Sequence, residues 1–149
     1  MLNLDHKSLE NLYETINWET YIQLCNELTS IDETDLDAEL AKQATLFSYF
    51  TGLLAYADNE VSKFEVELTY TKSKLKEDES SKSSKKLTVA QMDMFLGAHP
   101  LVHSAELDLL ELEYKAKLFS GIVRSLSQRK DMLVQISSNK KAENKMYSN

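Results

Sequence analysis

The chain has 149 residues and a mass of 17.1 kDa, with 42 % hydrophobic and 28 % charged side chains and a net charge of −7. Three Gly and one Pro are too few turn formers for most sheet-rich folds or for a Gly-rich phosphate loop. The single Cys25 excludes a disulfide framework and a Cys-based zinc site.

No apolar run approaches the ~20 residues needed to cross a bilayer. The opening MLNLDHKSLE lacks the basic-then-apolar order of a secretory signal. A cytoplasmic protein that acts away from membranes is therefore expected. Charge is unevenly spread: residues 1–40 hold one Lys and ten acidic groups, residues 119–149 six basic and two acidic groups. The net charge of −7 disfavours indiscriminate adhesion to nucleic acid or anionic membrane, while the polarity leaves room for a basic surface far from the acidic end.

In chain order, an acidic segment 1–30 contains a first helix over 7–28. Ser8 is its candidate cap, and Leu9, Leu12, Ile16, Tyr21, Leu24 and Leu28 lie along one face. Trp18 lies near that stripe and is expected in the core. TSIDETDLDAEL then supplies turn and cap formers, with Thr34 or Asp35 as N-cap and Asp37 and Glu39 at the positive end of the helix dipole.

Segment 31–76 holds a long helix over 35–76. Phe47, Phe50, Leu54, Ala57, Val61, Phe64, Leu68, Thr71 and Leu75 recur in alternating steps of three and four. A period of 3.5 held this long predicts a supercoiled partner, along a helix of roughly 60 Å. Phe47, Phe50, Leu54, Phe64 and Leu68 are the expected seam.

Segment 77–87, with EDESSKSSKK, has no apolar side chain before its last residue, Leu87, and is expected to be a mobile loop. Segment 88–141 contains a short helix, with Thr88 as cap, Gly97 as stop and Pro100 opening the next helix. The last helix runs to about Lys141, with a stripe of Leu107, Leu110, Tyr114, Leu118, Ile122, Leu126, Met132, Leu133 and Ile136. Residues 142–149 are expected to fray. The pattern predicts an all-α protein: a long antiparallel, coiled-coil-like hairpin with an N-terminal helix and a short connecting helix. Its broad sides would be covered by other copies of the chain in a homo-oligomer.

Little catalytic chemistry is visible. His99 and His103 have i, i+4 spacing, but Pro100 between them opens a helix and sets His99 outside it. No further ligands accompany them, so capping or surface histidines are expected. Glu-x-x-His pairs for a di-metal bundle and a G-x-S-x-G elbow are both lacking. Cys25 falls in an apolar-periodic stretch and is expected as a small core hydrophobe. The sequence gives no reason to assign an enzyme, a metal or a cofactor.

Two basic patches remain. One comprises Lys72, Lys74, Lys76, Lys82, Lys85 and Lys86, with Tyr70 at its edge. The other comprises Arg124, Arg129, Lys130, Lys140 and Lys141. Basic grooves with aromatics for stacking bind single-stranded nucleic acid, and repetition in an oligomer would add avidity.

The order of features resembles the UvsY-like recombination mediators of tailed phages. The resemblance rests on IDETDLDAEL, on the long helix with LFSYFTGLLAYADNEVSKFEVELTYTKSKL, on the break, and on a final helix with KAKLFSGIVRSLSQRKDMLVQ. It covers residues 31–136. It implies a ring-like homo-oligomer that binds single-stranded DNA, a RecA-like recombinase and a single-stranded-DNA-binding protein. Such a mediator helps the recombinase replace the binding protein on the strand, in the host cytoplasm if the chain is phage-encoded. Lys72, Lys74 and Lys76 match the basic end of the long helix, and Arg129 and Lys130 the basic step of the last one. With Lys85 and Lys86 they form the expected DNA-binding set. The chain departs from the family where EDESSKSSKK replaces an aromatic, Gly-containing basic segment, so DNA affinity is expected to be weak and salt-sensitive. The alternative is a non-enzymatic coiled-coil structural or interaction protein, a phage assembly or host-takeover adaptor, working through its acidic N-terminal region.

Overall fold

The computed structural model describes residues 6–83 and 87–147, the side chains of 6–10 and 147 excepted. It contains five helices and, among the described residues, no strand: α1 (His6–Thr15), α2 (Trp18–Thr29), α3 (Leu36–Lys82), α4 (Val89–Ala98) and α5 (Pro100–Tyr147). The all-α expectation and the two long helices hold. The chain divides into two compact units, one of Met1–Tyr56 with Lys115–Asn149 and the other of Ala57–Tyr114. α3 and α5 each contribute to both.

In the first unit, α1, α2, the start of α3 and the end of α5 pack around Tyr13, Ile16, Leu24, Leu28, Leu46, Phe50, Phe119, Ile122, Leu126 and Leu133, all buried. The single helix predicted over 7–28 is two helices. Asn17 is extended (φ −141°, ψ −176°), and its side-chain oxygen accepts from the Thr20 amide at 2.9 Å. An Asn that caps the following turn breaks the preceding one. Ser8 lies inside α1, not at its cap.

α3 starts where expected. The Asp35 carboxylate accepts from the Ala38 amide at 3.1 Å, and Asp37 and Glu39 follow in the first turn. Ahead of it, Asp32 Oδ1 accepts from the Thr34 amide at 2.9 Å and the Thr34 hydroxyl at 2.6 Å. This local turn holds the Asp32 carboxyl below its ordinary pKa, chiefly through the hydroxyl bond.

The buried stripe of α3 in this unit is Gln43, Leu46, Phe50 and Leu53, one residue out of phase with the predicted seam except at Phe50. Phe47 is 39 % exposed and Leu54 only half-buried, so neither centres the seam. On α5 the stripe is Phe119, Ile122, Leu126, Arg129 and Leu133. Trp18, expected in the core, is 54 % exposed: it lies roughly 80–120° round α2 from the buried Leu24 and Leu28.

In the second unit, Leu68 of α3, Leu96 of α4 and Val102 of α5 are buried, with Phe64, Leu75, Phe95, Leu109 and Leu112 half-buried around them. Phe64 and Leu68 thus serve the chain's own core. α3 runs past the predicted break to Lys82. The polar run from Glu77 lacks a core-facing stripe, but Glu, Lys and Ser are adequate helix residues when the preceding turns are anchored.

Thr88 caps α4 through a full capping box with Gln91. Gly97 is not the stop: no glycine has positive φ, and α4 ends at His99 (φ −76°, ψ 123°), the extended conformation that a following proline imposes. Pro100 opens α5 as predicted. Leu107, Leu110 and Tyr114 are 53 %, 59 % and 44 % exposed. The stripe of α5 here is Val102, Ala105, Leu109 and Leu112, not the predicted one. α5 also continues to Tyr147, through most of the segment expected to fray.

Candidate nucleic-acid interface

Of the seven residues expected to bind nucleic acid, the five that the structure describes do not share one environment. Arg129 is a core residue of the first unit, 1 % exposed. Its Nη1 donates to Gln43 Oε1 at 2.7 Å, its Nη2 and Nε donate to the Ser30 carbonyl at 3.3 and 3.4 Å, and Nη2 also bonds the Glu39 carboxylate. Burial lowers its pKa from the ordinary value, yet Glu39 keeps a counter-charge beside it. With its donors turned inward, Arg129 cannot meet a phosphate, and it leaves the binding set. Its place was legible: 122, 126, 129 and 133 step by four, three and four, so position 129 falls on the seam.

Lys72, in the second unit, is partly spent. Its ammonium donates to Glu106 Oε1 at 2.7 Å, with the two side chains 34 % and 46 % exposed. Lys74 and Lys76 are exposed. The Lys74 ammonium lies 5.9 Å from the centroid of the Tyr70 ring, itself 63 % exposed. Lys82, also exposed, ends α3, and Glu77, Asp78 and Glu79 interrupt this run. Lys85 and Lys86 lie outside the described residues. Lys130, in the first unit, is solvated beside Asp131 at 3.4 Å.

In the same unit, α5 places one further cation on the α2–α3 connection: the Lys140 ammonium bonds the Glu33 carbonyl. Arg124 is exposed, and its charge acts on the Tyr21 hydroxyl, which burial and the neighbouring Cys25 push above the ordinary tyrosine value. Cys25 is half-buried, its sulfur 3.9 Å from the Ser125 hydroxyl.

The histidines behave as the sequence suggested. His99 Nδ1 accepts from the Leu101 amide at 3.3 Å and its carbonyl from the His103 amide at 3.0 Å, so His99 caps α5, while His103 is exposed. Among the described residues no three potential metal ligands cluster, and no described helix is long and apolar enough to cross a membrane.

Comparison with protein-family models, with curated proteins and with solved structures found no match.

Proposed function

We propose that the protein is a non-enzymatic recombination mediator, which binds single-stranded DNA and helps load a RecA-like recombinase onto strand coated with single-stranded-DNA-binding protein. One observation carries the DNA part: in the α3 segment of the second unit the exposed Tyr70 ring lies beside Lys74, and exposed Lys76 and Lys82 follow on other sides of the same helix. A base can stack on such a ring while ammonium groups meet the phosphates. The interspersed Glu77, Asp78 and Glu79 keep the affinity low and salt-sensitive. The recombinase and binding-protein partners rest on the sequence resemblance.

The reading includes self-association. Leu107, Leu110 and Tyr114 form an exposed i, i+3, i+7 stripe on α5, the spacing of a helix seam. A second copy is the occupant the resemblance implies. Leu110→Glu should lower the mass found by light scattering at micromolar concentration. An unchanged mass would remove this stripe from the assembly.

Fluorescence anisotropy of a labelled oligo-dT at low and moderate salt tests the DNA role. Affinity should fall by roughly 0.7 log units per log unit of salt for each phosphate neutralised. Lys74→Glu with Lys76→Glu should weaken binding and flatten that slope. A second reading, the coiled-coil adaptor working through its acidic N-terminal region, is favoured by the withdrawal of Arg129 into the core and of Lys72 into an ion pair. Absence of binding at low salt would sink the DNA role and promote the adaptor reading.

A further inference from the structure

The first unit carries an aromatic surface that the α3 lysines do not explain. Trp18 and Tyr21 of α2 stack, ring centroids 5.4 Å apart and planes 25° from parallel. Trp18 is nevertheless 54 % exposed, and Ile22, one turn on, is 42 % exposed. One face of the indole is thus covered by a ring and much of the rest meets water, an uncommon state for a Trp that no described segment covers.

The floor beneath this pair is built for it. A Cβ placed at Gly121 would lie 2.7 Å from Tyr21 Oη and 2.9 Å from Tyr21 Cε2, so the glycine admits the tyrosine against the α5 backbone. Tyr21 at Gly121, Cys25 against Ser125 and the Ser30 carbonyl at Arg129 show α2 running parallel to α5 in one register. On α5, Lys117 precedes Gly121 by four residues and Arg124 follows it by three, so both share the face on which the aromatic pair rests. Both side chains are exposed. Glu19, next to Trp18 in the first turn of α2, disfavours phosphates on that side.

We infer that Trp18, stacked on Tyr21 between Lys117 and Arg124, forms a second contact for single-stranded nucleic acid, in which an unpaired base lies on the indole and Arg124 meets the adjoining phosphate. The inference rests on the DNA-binding part of the proposed function and adds a stacking site on the other unit. A solvated indole stacked on a ring beside a face that carries Arg124 matches a base and its adjoining phosphate. Sequence-tolerant stacking of this kind suits a protein that must accept any strand.

Trp18 is the chain's single tryptophan, so the site reports on itself. Oligo-dT added to the intact protein at low salt should quench its emission and shield it from acrylamide, in parallel with the anisotropy of a labelled strand. Trp18→Ala should lower strand affinity about tenfold, Trp18→Phe less, and Arg124→Gln should reduce the salt slope. Circular dichroism should show both Trp18 variants folded, since the side chain is exposed. Anisotropy that rises with no change in tryptophan emission, or an affinity untouched by Trp18→Ala, would overturn this contact and leave the α3 lysines as the DNA site. The exposed indole would then be an anchor for a protein partner. Absence of strand binding by any readout would overturn both this contact and the DNA role.

Discussion

The Arg129 guanidinium donates to the Gln43 side-chain oxygen at 2.7 Å, and the Gln43 amide nitrogen donates in turn to the Leu126 carbonyl at 2.7 Å. One glutamine of α3 is thus held by two residues of α5 a single turn apart. The pair is 5 % and 1 % exposed, within a layer that is otherwise apolar. With Glu39 and the Ser30 carbonyl the network joins α3, α5 and the end of α2. A slip of α3 along α5 by one heptad would carry Gln43 and Arg129 away from each other into hydrocarbon. Polar groups at a seam position set register in this way.

Arg129→Met should therefore destabilise the protein by about 2–4 kcal/mol, because it leaves Glu39 with only the exposed Lys42, 3.8 Å away, and the Gln43 side-chain oxygen without a donor. Combining it with Glu39→Met and Gln43→Leu should recover most of the loss, since an apolar layer needs no counter-charge. Urea denaturation followed by circular dichroism measures both. If the single variant lost under about 1 kcal/mol, the network would be solvated, and Arg129 would again be available to phosphate.

Gly121→Ala should destabilise the protein despite the better helix propensity of alanine. The new methyl would enter the space of the Tyr21 ring, and overpacking of this kind costs about 1–3 kcal/mol. In a Tyr21→Ala background the ring is gone, and the same change should stabilise by up to about 1 kcal/mol. A double-mutant cycle gives the sign directly. Equal effects in both backgrounds would show that Tyr21 does not lie against Gly121.

The fold was legible because its signal is redundant: few turn formers, heptad spacing over many turns, and caps at Asp35, Thr88 and Pro100. What was misread is phase and partnership. A run that contains Leu46, Phe47, Phe50, Leu53 and Leu54 fits two neighbouring stripes, and only the facing helix decides between them. Leu107, Leu110 and Tyr114 looked like a core stripe because they are apolar at the right spacing, yet the chain packs the opposite face of that turn. Arg129 was misassigned because charge was weighed above position, although its seam spacing was visible. Trp18 was misplaced because the Asn17 cap divides the predicted helix in two and α2 buries Leu24 and Leu28, a stripe that position 18 does not share.

The Lys72–Glu106 pair is half-solvated, so it contributes at most about 1 kcal/mol and weakens with salt. Lys72→Ala should cost no more than that in urea denaturation. Lys72→Glu should cost more, because it sets two carboxylates face to face. A DNA-binding experiment that reverses Lys72 would mix lost affinity with lost stability, whereas Lys74 and Lys76 are exposed and should leave the denaturation midpoint within experimental spread. A large destabilisation by either of the latter would show that the lysine holds the second unit together.

Stability in acid should depend measurably on Asp32. The Thr34 hydroxyl and then its amide favour the ionised carboxyl, which lowers its folded pKa, while in the unfolded chain it returns to about 3.9. A depressed carboxyl pKa gives a contribution that is full above the unfolded value and lost as pH falls through the folded one. Asp32→Asn removes that titration, and Thr34→Ala should shrink it by removing the stronger of the two hydrogen bonds. The difference in urea midpoint between the parent and Asp32→Asn should stay constant down to about pH 5 and shift against the parent below it. A difference that keeps its size across the acid range would mean that the folded and unfolded chains hold this proton equally, and that the turn ahead of α3 does not prefer the charged carboxyl.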